Sequence, residues 1–323
     1  MRITSVHLYL AKRIAYVLLT IWLVATLVFI ATVLLPGSAP QMILGRAADP
    51  DAIAALEAEL GLDQPMHVQY VNWIGGLLMG DAGRSLSLNQ PVIDVVIPRL
   101  RVSLALAVVA LFTTVLIAIP LGVISAVKHN TWFDRTISSV SYFGVSLPEF
   151  VTGTVLIALL AGPVFDVFPS TGYVPLEEGI IPWITHMALP IITLIIIMVA
   201  HIYRQTRSEL ISVLRTEYVR TARLKGLNER VVLLKHALRN GLLPTITVVA
   251  LNFGWLMGGL VVVEEIFVID GIGRLVVYAI QNRDIPLLQF LVILIAVSYT
   301  LANLVADLLY TRFDPRIDYG GDE

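Results

Sequence analysis

The chain has 323 residues, 57% of them hydrophobic and only 14% charged, with a mean hydropathy of +0.82. Soluble domains carry about 25% charged residues, so this composition excludes an ordinary water-soluble enzyme or binding module. The net charge of −2 conceals a strong segregation by segment, and a chain without cysteine has neither disulfides nor thiol chemistry.

A bilayer span needs about 20 mostly apolar residues. Six stretches qualify: 13–35, 102–127, 137–160, 182–203, 242–263 and 287–310. The first follows Arg2, Lys12 and Arg13 and lacks an A-x-A cleavage pattern, so it reads as a retained span. Sixteen Lys/Arg fall on the side of the N-terminus, the 128–136 link, the 204–240 segment and the tail; six fall on the other. The positive-inside rule puts both termini and the 204–240 segment in the cytosol.

The first span ends at Pro36-Gly37. In the exterior stretch that follows, Asp49-Pro50-Asp51 signals a helix start, with Ile53, Leu56 and Leu60 on one face and Gly61 as the stop. Tyr70, Trp73, Ile74 and Leu77 mark a second amphipathic helix. Pro120 and Gly122 are tolerated in the second span where neighbouring helices re-satisfy the backbone. The basic link Lys128–Arg135 contains His129, read as a solvated side chain. In the third span Glu149 follows Pro148, roughly 18 Å in from the cytosolic side at helical rise. A charge at that depth costs roughly 2.5–3.5 kcal/mol, so Glu149 should face a pathway, a partner chain or a proton-sharing neighbour, or sit neutral in a helix interface.

Residues Gly162–Pro182 form an acidic exterior loop with turn chemistry at Pro169–Tyr173. His186 and His201 stand at opposite ends of the fourth span, too far apart to share a metal. Between Arg204 and Asn240 lie nine Lys/Arg and three Asp/Glu. There Leu210, Leu214, Tyr218 and Ala222 recur every fourth residue, which predicts one helix stopped by Gly226. Asn228 can cap a second helix with Val231, Leu234 and Leu238 as its apolar stripe, ending at Asn240-Gly241. The fifth span carries Gly254, Gly258 and Gly259, which permit close helix approach, and polar Asn252. Glu264 and Glu265 sit at its outer end. Beyond them, Val276, Val277 and Ile280 predict a short helix tucked into the exterior mouth. The sixth span ends with Asn303, Asp307 and Tyr310.

No catalytic constellation is present: there is no H-E-x-x-H, no G-x-S-x-G and no P-loop. The basic segment has Tyr218 as its sole interleaved aromatic near a membrane surface, which argues against nucleic acid.

Glu217, Thr221-Ala222, Gly226 and Leu243-Pro244 closely resemble the EAA loop of ABC-importer permeases. With Tyr218, Arg220, Lys225 and the run from His236 to Asn240, the chain resembles the dipeptide/oligopeptide/nickel branch of that family. The likeness extends through Tyr9–Arg13, Leu34–Gly37, GLDQP at 61–65, QYVNWIGGLLMGD at 69–81, GRSLS at 83–87, the 271–286 run and FDPRI at 313–317. It implies an all-α membrane protein of six transmembrane helices with a cytosolic helical coupling arm, the type I ABC importer permease fold. Its parts would be 1–35 (N-terminus and first span), 36–101 (extracytoplasmic loop), 102–310 (five-span core with the arm at 204–240) and 311–323 (cytosolic tail).

The resemblance further implies half of a pathway for di- or oligopeptides in a bacterial or archaeal plasma membrane. A second homologous permease, two ATP-binding subunits or one fused chain, an extracytoplasmic binding protein and membrane lipid would be the partners. ATP and Mg would sit on the ATPase, with no cofactor on this chain. Glu217, Tyr218, Thr221, Ala222, Lys225 and Gly226 would couple to the ATPase, Glu217 through a basic group there and Ala222 by keeping the approach close. Gly271 and Gly273 fall in the outer gate; Glu149 and Asn252, read from their place in the spans and not from the resemblance, are candidate pathway residues. Nickel or another small solute is the alternative cargo, although no His, Met or Cys cluster points to nickel. A proton-coupled transporter carried by Glu149 is the rival mechanism, and it calls for two similar halves that the sequence does not show. An intramembrane enzyme lacks a nucleophile or metal pair, and a scaffold leaves the exterior loop and the arm unexplained.

Overall fold

A computed structural model describes residues 2–34, 44, 49–59, 61–162 and 165–313. The Pro36-Gly37 break, Leu60, the Tyr310 side chain and residues 314–317 of the tail motif lie outside what is described. Among the described residues the regular structure is helical, apart from one isolated bridge between Arg84 and Pro91. Five helices among the described residues are long and apolar enough to cross a bilayer, and a bent pair makes six if it counts as one span.

Helix α1 spans Arg2–Leu34. Helix α2, Pro50–Glu59, begins at the Asp49-Pro50 signal, and Gly61 beyond it has φ +67°. Helix α3, Met66–Leu78, lies against α1: the Tyr70 and Thr26 hydroxyls are 2.7 Å apart, and Phe29 packs on Tyr70 and Trp73. Helix α4 runs Val92–Val127 and so starts ten residues before the expected span. Its extra turns are held by Val92, Val95 and Val96, buried in a satellite core. Hydropathy locates the lipid-facing part of a helix but not where the helix itself begins.

The third span is two helices rather than one. Helix α5, Trp132–Ser146, meets α6, Glu149–Leu156 with its π-helical continuation Ile157–Ala161, at 104°. Leu147 and Pro148 are both extended, with ψ 125° and 149°. Proline removes an N–H and pushes its predecessor out of the helical region, and here the chain turns instead of kinking.

Helix α7 runs Ile180–Leu214 without a break, well past the expected end at 203. The four-residue periodicity from Leu210 to Ala222 is therefore divided between two helices. Arg215 has ψ −4°, Thr216 is extended, and the Thr216 hydroxyl donates back to the Val213 carbonyl at 2.6 Å. Helix α8 is Glu217–Leu224. Helix α9 joins Glu229–Val231, a π-helical stretch Val232–Ala237, and Leu238–Gly241. Helices α10 (Leu243–Phe267), α11 (Ile272–Gln281) and α12 (Ile285–Phe313) complete the order.

The main core is built by α4, α7 and α10, with Leu106, Met187, Leu194, Met198, Leu256 and Leu260 fully buried among them. Helices α4 and α7 form the most extensive pair. They touch at Gly122, where an added Cβ would lie 2.7 Å from Thr206 Cβ and 3.1 Å from the Tyr203 carbonyl. Helix α1 pairs with α12, where Gln289 Nε2 donates to Thr32 Oγ1 at 2.7 Å and Arg13 meets Asp307 at 2.7 Å. Phe112 and Leu116 on α4 and Leu18 and Leu27 on α1 remain exposed, as a lipid-facing surface requires.

Candidate functional site

The sequence-predicted residues fall in three places. On the arm side, α8 folds back under the end of α7. Val219 and Ala222 of α8 and Val232 of α9 are buried against Val213 and Leu214. Ala222 is thus only 6% exposed, and the close approach it permits is to the arm's own helices. Glu217, Thr221 and Lys225 point outward. Glu217 pairs loosely with Arg220 at 3.7 Å, and the Thr221 hydroxyl donates to the Glu217 carbonyl. Tyr218 ties α8 to α9: its hydroxyl accepts from Asn240 Nδ2 at 3.0 Å and donates to the His236 carbonyl at 3.4 Å.

Gly226 makes the turn between the two arm helices. Its φ is +77°, a left-handed value that costs glycine nothing, and its N–H donates to the Arg223 carbonyl at 2.9 Å. Asn228 then caps α9, accepting from the Arg230 N–H at 3.0 Å, and Arg223 bridges the turn to Glu229 at 2.7 Å. The expected stripe on α9 is corrected at two of its three positions, Leu238 alone packing inward beside Leu210 and Ala237. Val231 and Leu234 are exposed, while Val232 and Ala237 are buried. A π-helical turn places residues five apart on one face, which swaps the inward positions. With Leu224 and Leu227, Val231 and Leu234 leave an apolar rim beside the outward Glu217 and Lys225.

Above the arm lies an ion pair the sequence reading misses. Arg207 of α7 grips Asp134 of α5 with both prongs, at 2.5 and 2.7 Å. Asp134 is buried, also accepts from the Asn130 N–H, and stands 3.3 Å from His129 Nδ1. His129 is therefore not simply solvated but half-buried against a carboxylate. One turn further, the Tyr203 hydroxyl lies 3.0 Å from both Ser125 of α4 and Ser138 of α5. Helices α4, α5 and α7 are thereby locked together where the arm begins.

Mid-span, Glu149 occupies the first turn of α6, half-buried and without a hydrogen-bond or ion-pair partner among the described residues. A helix N-terminus favours a carboxylate there. Its Oε1 lies 3.6 Å from where a Cβ on Gly259 would sit. Asn252 is buried on α10 and donates to the Val248 carbonyl of its own helix at 2.8 Å. The structure does not bring these two together, nor either of them to Gly271 and Gly273.

On the side away from the arm, Gly271 and Gly273 begin α11 directly over Glu264. That carboxylate is fully buried, accepting from Ser103 Oγ at 2.5 Å and from the Arg274 N–H at 3.2 Å, while Ser103 Oγ accepts from the Ile272 N–H at 2.8 Å. Past the other end of α11, buried Asp284 accepts from Ser85 Oγ, Ser87 Oγ and Ser87 N–H at 2.5, 2.6 and 3.0 Å. The 83–87 motif is thus a clamp on the start of α12. Gly172 N–H donates to the Phe267 carbonyl at 2.9 Å, bringing Tyr173 onto the main core. Burial, then the nearby Glu177 carboxylate, push the Tyr173 phenol above its ordinary pKa, against a hydrogen bond with Trp183. Among the described residues no three His, Cys, Asp or Glu converge on a possible metal position.

Residues 118–319 match the family described as binding-protein-dependent transport system inner membrane component, and residues 6–107 match its N-terminal companion. A chain of Brucella suis, provisionally named a peptide transport system permease protein, is 39% identical over 95% of this chain and 98% of its own length. A probable peptide ABC transporter permease protein of Sinorhizobium fredii is 36% identical over 96% and 99%. The glutathione transport system permease protein GsiC of Salmonella typhimurium is 38% identical, again over 96% and 99%.

Proposed function

Because this chain belongs to the family of binding-protein-dependent transport system inner membrane components, we propose that it carries peptides across the membrane as one permease of an ATP-driven importer. The chain itself is a multi-pass, non-catalytic subunit. A binding protein delivers peptide to its exterior side, and an ATPase drives it from the cytosol. A second, homologous permease closes the other half of the pathway, and two ATP-binding subunits, or one fused chain, hold ATP and Mg. Both termini and the arm are cytosolic, in keeping with the excess of Lys/Arg on that side.

The observation that carries this mechanism is the continuity of α7. A single helix runs from the packed core into the arm, and α8 is buried against its end. Force applied to the outward face of α8 by an ATPase reaches the core through one rigid rod. Asp134–Arg207 and the Tyr203 hydroxyl pass it to α5 and α4. Glu217, Lys225 and the apolar rim of Leu224, Leu227, Val231 and Leu234 are the contact surface. Tyr218, Ala222 and Gly226 shape the arm that presents it. Glu149, at the break between α5 and α6, lies toward the pathway, and Gly271 and Gly273 belong to the exterior gate. An ATPase can shift the transporter between its states only by as much as its contacts with the arm differ between them.

The test is reconstitution in liposomes with the cognate ATPase, second permease and binding protein. The expected result is uptake of di- or tripeptide that requires ATP and loaded binding protein. Uptake by this chain alone, driven by an ion gradient, would overturn the reading.

A further inference from the structure

We infer that Glu264 and Ser103 form a releasable latch that holds helix α11 closed over the mouth on the side away from the arm. The latch rests on the importer reading only for its state dependence; its geometry stands without it. A helix start leaves its first N–H groups without intrahelical acceptors. At α11 the N-cap is Gly271, which offers no side chain. The orphan donors are met from elsewhere: Ile272 by Ser103 on α4, and Arg274 by Glu264 on α10. The Ser103 hydroxyl then donates to Glu264, joining three helices through one carboxylate.

The glycines show that this space is reserved. Gly271 has φ −104°, open to any residue, yet a Cβ there would lie 2.2 Å from Glu264 Cδ. At Gly273 a Cβ would lie 2.4 Å from Val261 Cα and 3.0 Å from Glu264 Oε2. Close approach, not backbone freedom, requires glycine at both. Burying a carboxylate is expensive, and a serine or asparagine at 271 would cap the helix locally at less cost. A remote carboxylate does what a local cap does not: it makes the folding of α11 depend on the placement of α4 and α10.

The two ends of α11 are unequal. Asp284, past its C-terminal end, accepts two hydroxyl and two amide donors, from Ser85, Ser87 and Leu287. Glu264 accepts from three donors, one hydroxyl and the Arg274 and Gly273 amides. The Asp284 end is therefore the pivot and the Glu264 end is what lets go. Glu264 is a positioning residue: the donors converging on it call for an acceptor-only group, and a glutamine would set its own N–H₂ against one of them.

The absence of cysteine allows a direct test. Leu275→Cys reports opening because Leu275 lies on the buried face of α11, and Ile280→Cys is the control because Ile280 is already exposed. Both are labelled in the assembled complex with a membrane-impermeant maleimide. Ser103→Ala should speed labelling at 275 about tenfold, since it leaves the buried Ile272 N–H without its acceptor and Glu264 without its hydroxyl donor, and an unsatisfied buried group shifts an opening equilibrium by about that factor. Glu264→Gln should do so at least as strongly, and the double variant no more than Glu264→Gln alone. Labelling at 280 should be unchanged. With the native latch, trapping with ATP and vanadate should raise labelling at 275, whereas in Glu264→Gln the rate should no longer depend on nucleotide. Peptide uptake should lose maximal rate while half-saturation by loaded binding protein stays put. Unchanged labelling at 275 in Ser103→Ala and Glu264→Gln, in a complex that imports peptide, would overturn the latch. Faster labelling at 275 in both variants, alongside a wild-type complex that imports nothing, would overturn the importer reading and leave the latch standing.

Discussion

Substitution at Gly226 separates backbone strain from crowding at the turn of the arm. Its φ is +77°, and a Cβ built there meets no atom within 4 Å. Gly226→Ala therefore introduces no clash and costs only the left-handed conformation, about 1–2 kcal/mol for an L-residue. That lowers the population of the turn relative to open forms by a factor of about 5–30. Gly226→Asn should cost less, because asparagine visits this region with local hydrogen bonding. Gly226→Pro is of another kind. Its φ is fixed near −65°, and it deletes the donor to the Arg223 carbonyl, so the turn cannot form and about 3 kcal/mol or more is lost. The assay is ATP hydrolysed per peptide imported by the reconstituted complex. The expected order is wild type, Asn, Ala and then Pro, with Pro hydrolysing ATP without import. Normal import by the proline variant would refute the reasoning, as would an alanine variant as damaged as proline, which would mean that atoms occupy the space about Gly226.

Asp134→Asn should lower the melting temperature of the complex and raise ATP spent per peptide; solvent reaches Arg207, so the stability loss should be nearer 2 kcal/mol than the 3–5 of a fully buried pair. Gly122→Ala should destabilise by about 1–3 kcal/mol through overpacking, because Thr206 Cβ and the Tyr203 carbonyl cannot withdraw. Gly254→Ala, which meets the Tyr299 ring, should cost less, since that half-exposed ring can swing toward lipid; thermal melting that ranks the two in reverse would contradict the packing described. Replacing both Ser85 and Ser87 by alanine leaves Asp284 underbonded, at about 1.5–3 kcal/mol per lost bond, and should speed proteolytic cleavage between 80 and 91.

Much of this was legible because its causes are local. Gly226 and Asn228 do what glycine and asparagine do in any helix connection, and the six apolar windows need no neighbour to be recognised. The failures share a cause as well. Pro148 permits either a kink or a break, and only packing around Leu147 decides. Thr216 ends α7 because Val219 and Ala222 find a buried seat on Val213 and Leu214, which periodicity along one strip cannot foresee. Glu264 and Glu265 are chemically identical neighbours, yet one is sealed beneath two glycines and the other is exposed, 3.9 Å from Arg274. His129 read as solvated because Asp134 and Arg207 meet only once α5 and α7 are side by side.

The pairing of α1 with α12 also sets a schedule. Chains emerge N-terminus first, and domains generally fold in that order. Here Thr32 waits for Gln289, and Ser85 and Ser87 wait for Asp284. The earliest helix to enter the bilayer therefore lacks its mate until the last one arrives, and α3, seated on α1, shares the delay. A nascent chain halted before residue 284 would already hold the α4–α7–α10 core and the whole arm, yet its first helix would drift free in the lipid. Completion of the final helix is the event that turns a string of separate segments into a closed bundle.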